Sequence, residues 1–158
     1  MTDKDLSSVV ITIPGKPVAW ARAGVRVVKA GGKTFAQHYT NKQTRSFEER
    51  VAECGRRALG NRSPFDCPVV VAMLFRREPP KSVNKAARAA MLAGLTAPGT
   101  KPDLTNYAKG VEDALNGIAF VDDSLIVEIH LSKAYAETAG IDVLIRPWTP
   151  RAIEREAA

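Results

Sequence analysis

The run from Pro68 to Arg76, PVVVAMLFR, is apolar almost without interruption. A strand with one wet face alternates apolar and polar residues, so an unbroken run of this kind predicts a central strand covered on both faces. The rest of a chain of 158 residues has to be arranged around it. That length suits a single core, and residues 1–150 read as one domain, with the polar tail 151–158 expected to fray. Val9 to Ile13 reads as a strand ended by Pro14-Gly15, and Leu125 to Tyr135 and Ile141 to Trp148 as two more, joined around Ala139-Gly140. Val25 to Val28 and Thr34 to Tyr39 flank Gly31-Gly32, a pair that accepts the positive φ of a tight hairpin turn. From Asn41, a candidate N-cap, Phe47, Val51, Cys54, Ala58 and Leu59 recur at helical spacing until Gly60-Asn61. A shorter helix is expected over Lys85 to Leu95, and a second long one over Asp103 to Asn116, closed by Gly117. The fold class is α+β, a mixed β-sheet carrying two principal helices.

Composition excludes several classes. With 45% hydrophobic and 25% charged residues the chain is too apolar for intrinsic disorder. No apolar run approaches the roughly 18 residues of a membrane span, and no secretory signal opens the chain, so a cytoplasmic protein is expected. Cys54, Cys67, His38 and His130 lack the close spacing of a zinc site, and the cysteines read as buried thiols. The net charge of +6 makes an anionic partner plausible. Its distribution says more: between Asp5 and Glu48 there is no acid, yet Lys16, Arg22, Arg26, Lys29, Lys33, Lys42 and Arg45 all fall there. A solvated basic loop would give the same pattern, but the Gly and Pro punctuation points to shaped loops that meet a polyanion.

The chemistry is expected between Lys101 and Asp123. On a helical wheel Leu104, Ala108, Val111, Leu115 and Ile118 fall within roughly 80° of one another, while Asp103, Asn106, Lys109, Gly110 and Asp113 fall opposite. Asp103 opens the helix, where its carboxylate could simply cap free N–H groups. Asp122 and Asp123 lie between this helix and the next strand, and a short return could bring them to Asp103. Three acids would suffice for magnesium, which prefers oxygen ligands and keeps several waters. Lys109 would add a point charge for a phosphate.

Lys101-Pro102-Asp103-Leu104-Thr105-Asn106, then Lys109, Glu112 to Gly117 and Asp122-Asp123-Ser124 follow one another in the order and spacing of the KPDxDN, K, DALNG and DDS signatures. In these motifs the sequence resembles the RusA family of Holliday junction resolvases, known mostly from phages and prophages. Pro14 to Pro17 and Thr40 to Glu49 are similar as well. The resemblance implies a RusA-like fold and a homodimer that binds four-way DNA junctions and nicks them symmetrically with magnesium or manganese. It implies metal binding by Asp103 and Asp123, with Asp122 a neighbouring candidate, and a catalytic role for Lys109. Lys101 and Asn106, with Lys16, Arg22, Arg26, Lys42 and Arg45 of the basic segment, are the expected DNA contacts. Thr105 departs from the pattern, standing where better-known members carry a third acid, and Asp122 or Glu128 is the expected substitute. The competing reading is a branched-DNA-binding protein that does not cut. An RNA-binding fold has only the net charge behind it, without an aromatic stacking signature on a strand.

Overall fold

The computed structural model describes residues 8–21, 24–39 and 41–150; Arg22, the tail 151–158 and the side chain of Arg26 lie outside the described residues. The elements run β1 (Val9–Pro14), β2 (Gly24–Ala30), β3 (Lys33–Tyr39), α1 (Lys42–Leu59), β4 (Val69–Arg77), α2 (Lys85–Leu92), α3 (Leu104–Leu115), β5 (Ile126–Tyr135) and β6 (Gly140–Pro147). β1, β4, β5 and β6 form a mixed sheet in the order β1-β6-β4-β5. β4 is antiparallel to β6 and parallel to β5. A parallel pair needs a crossover of a dozen residues or more, and the segment holding α2 and α3 supplies it.

The apolar run is a central strand, as its composition requires, but only one of its faces lies under helices. Val69, Val71, Met73 and Phe75 join Phe47 and Val51 of α1 and Tyr107, Val111 and Leu115 of α3 in the core. The alternate residues Val70, Ala72 and Leu74 belong to the other face. There Ala72 pairs with Leu144 and His130, Leu144 pairs with Val10, and Val10 and Leu144 are 62% and 37% exposed. No described helix covers that face, so near-continuous hydrophobicity marks β4 as central without marking it as buried on both sides.

The two long helices meet through glycines. A Cβ on Gly55 of α1 would lie 2.7 Å from Leu115 of α3, and one on Gly110 would lie 3.4 Å from the Phe47 ring. Overfilling such a contact typically costs about 1–3 kcal/mol. Gly110 is therefore buried against α1, and the wheel that put it on the polar side of α3 drew the apolar stripe too narrow. In α1, likewise, Gly55 rather than Ala58 faces inward. Asn41 caps α1 as expected, its side-chain oxygen accepting from the Gln43 N–H at 2.9 Å. Both cysteines are free and only half-buried, at the margin of the core.

β2 and β3 stand apart as a two-stranded ribbon, paired from Gly24–Tyr39 to Ala30–Lys33, with positive φ at both Gly31 and Gly32. Val25, Val27 and Phe35 on it are more than half exposed. No described helix is long and apolar enough to cross a membrane.

Candidate active site

α3 is set in place by its N-terminal approach. The Lys101–Pro102 bond is cis, and the carbonyls before the helix are tied to cations at the ends of two strands. Arg77 donates to the Thr100 carbonyl and hydroxyl, each at 3.2 Å, and the Lys133 ammonium donates to the carbonyls of Thr100 and Pro102 at 3.0 and 3.2 Å. From the other side, the Trp20 N–H donates to the Asn106 carbonyl at 2.8 Å, laying the segment after β1 along the helix. Lys16 begins that segment, and Arg50 of α1 steadies it by donating to the Lys16 carbonyl at 3.3 Å.

Asp103 occupies the N-cap position, yet its side chain makes no capping hydrogen bond. An Asp at this position usually accepts from an N–H of the first turn, worth about 0.5–2 kcal/mol. Here the carboxylate is exposed and makes no hydrogen bond or ion pair with any described residue. Capping alone does not account for Asp103.

Two turns on, the polar face of α3 becomes a charge cluster. Lys109 and Asp113 form an ion pair at 2.5 Å. That hydrogen bond raises the pKa of Lys109 first of all; partial burial opposes it, and the fields of Asp113, Asp123 and Glu112 add to it. The carboxyl of Glu112 is pushed up by burial, relieved in part by Lys109 and raised further by Asp113 and Asp123. Glu48 of α1 is also raised, by burial and then by Asp113. Three acids, Glu112, Asp113 and Asp123, thus share the neighbourhood of one lysine, with Glu48 beside Asp113.

The return that brings Asp123 here is built from buried apolar residues. Gly117, at φ 74°, donates to the Phe120 carbonyl at 2.9 Å, closing a turn in which Ala119 and Phe120 are buried. Phe65 exchanges backbone hydrogen bonds with Ala119 and Val121, both 2.9 Å. The chain then enters a single 3-10 turn, Asp123–Leu125. Asp122 is its cap, accepting from the Ser124 N–H at 2.9 Å, and bonds to Ser124 hold its carboxyl below the usual range. Asp122 thus serves the backbone, whereas Asp123, half-buried, faces the α3 cluster.

The structure brings Asp123 to Lys109 and Glu112, but it does not gather Asp103, Asp122 and Asp123 into one group: among the described residues, no three metal-ligating side chains cluster. The reason is the rise of the helix, which puts Asp103 roughly 13 Å along the axis from Glu112. Glu128, expected as a substitute for the acid missing at Thr105, lies elsewhere. It pairs in register with Val70, on the face of the sheet away from the helices, and bonds His130 at 2.6 Å. A register shift between Val69 and Val70 turns it there. Glu112 is the carboxylate that sequence reasoning missed, although its place three residues after Lys109 puts both on one helix face. Of the expected DNA contacts, Lys16, Lys42, Arg45, Lys101 and Asn106 are all exposed, with Arg45 paired to Glu49 at 3.2 Å.

Over 81 residues, half of this chain, the sequence is 43% identical to YqaN, an uncharacterized protein of Bacillus subtilis (strain 168), and the match spans 57% of that relative's length. The model of the family Endodeoxyribonuclease RusA matches residues 14–146, a stretch that contains α1, β4, α3, the Asp122-Asp123 turn and β5. The chain belongs to the RusA endodeoxyribonuclease family.

Proposed function

We propose that this protein is a divalent-metal-dependent endonuclease that binds four-way DNA junctions and resolves them by paired, symmetric nicks as a homodimer. The observation that carries the reading is Asp103: a carboxylate at a helix N-terminus that caps nothing, in a family of endodeoxyribonucleases. The donors suit a hard cation. Glu112 and Asp123, which share one electrostatic neighbourhood, offer only oxygen, as does Asp103 at the start of α3, and magnesium commonly takes one or two carboxylates, filling its octahedron with water and phosphate oxygens; manganese accepts the same ligands. The raised pKa of Glu112 comes first from burial and in smaller part from repulsion by Asp113 and Asp123, which a cation would relieve. A metal bound here supplies an acidified water and neutralises charge on the scissile phosphate.

The protein's own groups do the rest. Lys109, kept protonated by Asp113, is a cation poised beside Asp123 for the phosphate or the leaving oxygen. Lys16, Lys42, Arg45, Lys101 and Asn106, with Arg22 and Arg26, bind the backbone and give affinity that falls with salt. A junction has approximate two-fold symmetry, so one site per chain requires a dimer for paired nicks. This activity belongs to DNA recombination and repair in the cytoplasm of a bacterial or phage-infected cell.

The test is a synthetic junction labelled on each strand in turn, incubated with and without magnesium, beside a mass from light scattering. Symmetric, metal-dependent nicks from a dimer are expected. A monomer that cuts one strand only would reject resolution in favour of simple nicking. Thr105 favours a second reading, a junction binder that does not cut, because a hydroxyl is a weak magnesium ligand. Tight binding without nicks in either metal, with nicking gained by Thr105→Asp, would select it.

A further inference from the structure

One cavity lies outside the acid cluster yet close to Asp103. It measures about 370 Å³, and Lys16, Arg77 and Lys81 converge on it from three segments: the loop after β1, the end of β4 and the turn beyond. Pro79, Pro80 and the ring of Tyr107 form apolar walls. The volume is that of a pocket for a small organic group.

Its position is fixed by contacts already described. Arg77 holds Thr100, three residues before Asp103, and the Tyr107 N–H donates to the Asp103 carbonyl at 3.2 Å. The cavity therefore opens one helical turn from the uncommitted carboxylate. Tyr107 is rigid, stacked on Phe75 with ring centroids 5.1 Å apart. Burial raises its phenol pKa, against the field of Arg77, so the hydroxyl stays protonated at neutral pH. Lys16 and Lys81 make no side-chain ion pair with any described residue, and Glu78, which also lines the cavity, pairs with none of the three cations. Three cations against one acid that pairs with none of them leave the lining net positive, which an anion relieves.

We propose that this cavity seats one nucleotide of the DNA strand beside the scissile phosphate, its phosphate on Lys16, Lys81 and Arg77 and its base against Pro79 and Pro80 with the Tyr107 hydroxyl at the base edge. The proposal rests on the DNA-cleaving reading and goes beyond it: the pocket makes the protein sensitive to the identity of one base near the cut. A hydrogen bond from a protein hydroxyl to a base edge discriminates between bases, whereas phosphate contacts do not.

Junctions carrying a single uncharged methylphosphonate, walked along the strand, test this by binding in the absence of divalent metal, so no cutting is needed. A hydrogen bond to a charged group is worth about 1.5–3 kcal/mol, so wild type should lose about tenfold or more in affinity at one phosphate flanking the nick position. Lys81→Ala should bind less tightly and ignore the substitution at that phosphate alone. Undiminished sensitivity at every position in both Lys81→Ala and Lys16→Ala overturns the phosphate seat. Tyr107→Phe keeps the stacked ring and should flatten the preference among four bases at the adjoining position; an unchanged preference overturns the base assignment. A protein that binds and cuts yet shows neither effect leaves the nuclease reading standing without the pocket, while one that binds no DNA refutes both.

Discussion

Asp123 and Glu128 are five residues apart in sequence, and the fold sends them to opposite sides of the sheet. Asp123, on the turn before β5, looks toward α3 and shares an electrostatic neighbourhood with Lys109, Glu112 and Asp113. Glu128, on the strand, lies on the open face with His130. One carboxylate sits among other acids with a lysine in their midst, and the other has a local partner with no second acid beside it in the ladder. The contrast teaches that what decides whether an acid can serve the site is the face on which it leaves the backbone. One bulge near the start of β5 decides that face.

The sharpest way to break the comparison is to remove charge from the helix side. Asp103→Asn and Asp123→Asn should each reduce nicking on the order of 10³-fold, several kcal/mol of lost metal and phosphate stabilisation, with junction binding retained in gel shifts. Full cleavage by either variant would empty the helix-side cluster of its assigned role. Lys109→Ala comes next. Loss of one preorganised donor should lower kcat about a hundredfold with KM little changed. An equal loss in affinity would reduce Lys109 to a phosphate contact.

A smaller effect concerns stability. The Glu112 carboxyl is raised by burial and by its acidic neighbours, so the folded state binds its proton more tightly than the unfolded chain does. For a raised acid, stability is greatest below the unfolded pKa and is lost as pH rises through the folded value. Glu112→Gln should therefore raise the melting temperature at pH 7 and leave it unchanged near pH 4. Magnesium added to wild type at pH 7 should act in the same direction. A variant less stable than wild type at pH 7 would show the repulsion to be absent. The smallest effect expected is that of Glu128→Gln, with nicking within error of wild type; a large loss there would bring the open face into the chemistry.

The sequence made the elements legible wherever periodicity and punctuation agreed. The Gly31-Gly32 hairpin, the Asn41 cap and the Gly117 stop all form where their side chains or φ freedom direct. Faces were harder to read. Gly110 carries no side chain to classify, so only the approach of Phe47 shows that it is buried. Strand order follows from a crossover that no local signal encodes, and with it went the reach of Arg77 and Lys133 to the loop before Asp103. The motif residues were readable as types in order, but their separation along α3 is a matter of helix rise. With Asp122 turned to cap Ser124 as well, the three acids do not become one cluster among the described residues.

The ribbon of β2 and β3 makes extensive contacts only within itself, with Val25, Val27 and Phe35 left open to water. A lone hairpin is at best marginally stable. Its amides should therefore exchange with solvent by local opening, orders of magnitude faster than those of β4 and at a rate insensitive to the stability of the main sheet. Because its tip carries Lys29 and Lys33 and no acid, bound DNA should slow that exchange, making the ribbon an internal reporter of occupancy on the fast end of the exchange scale.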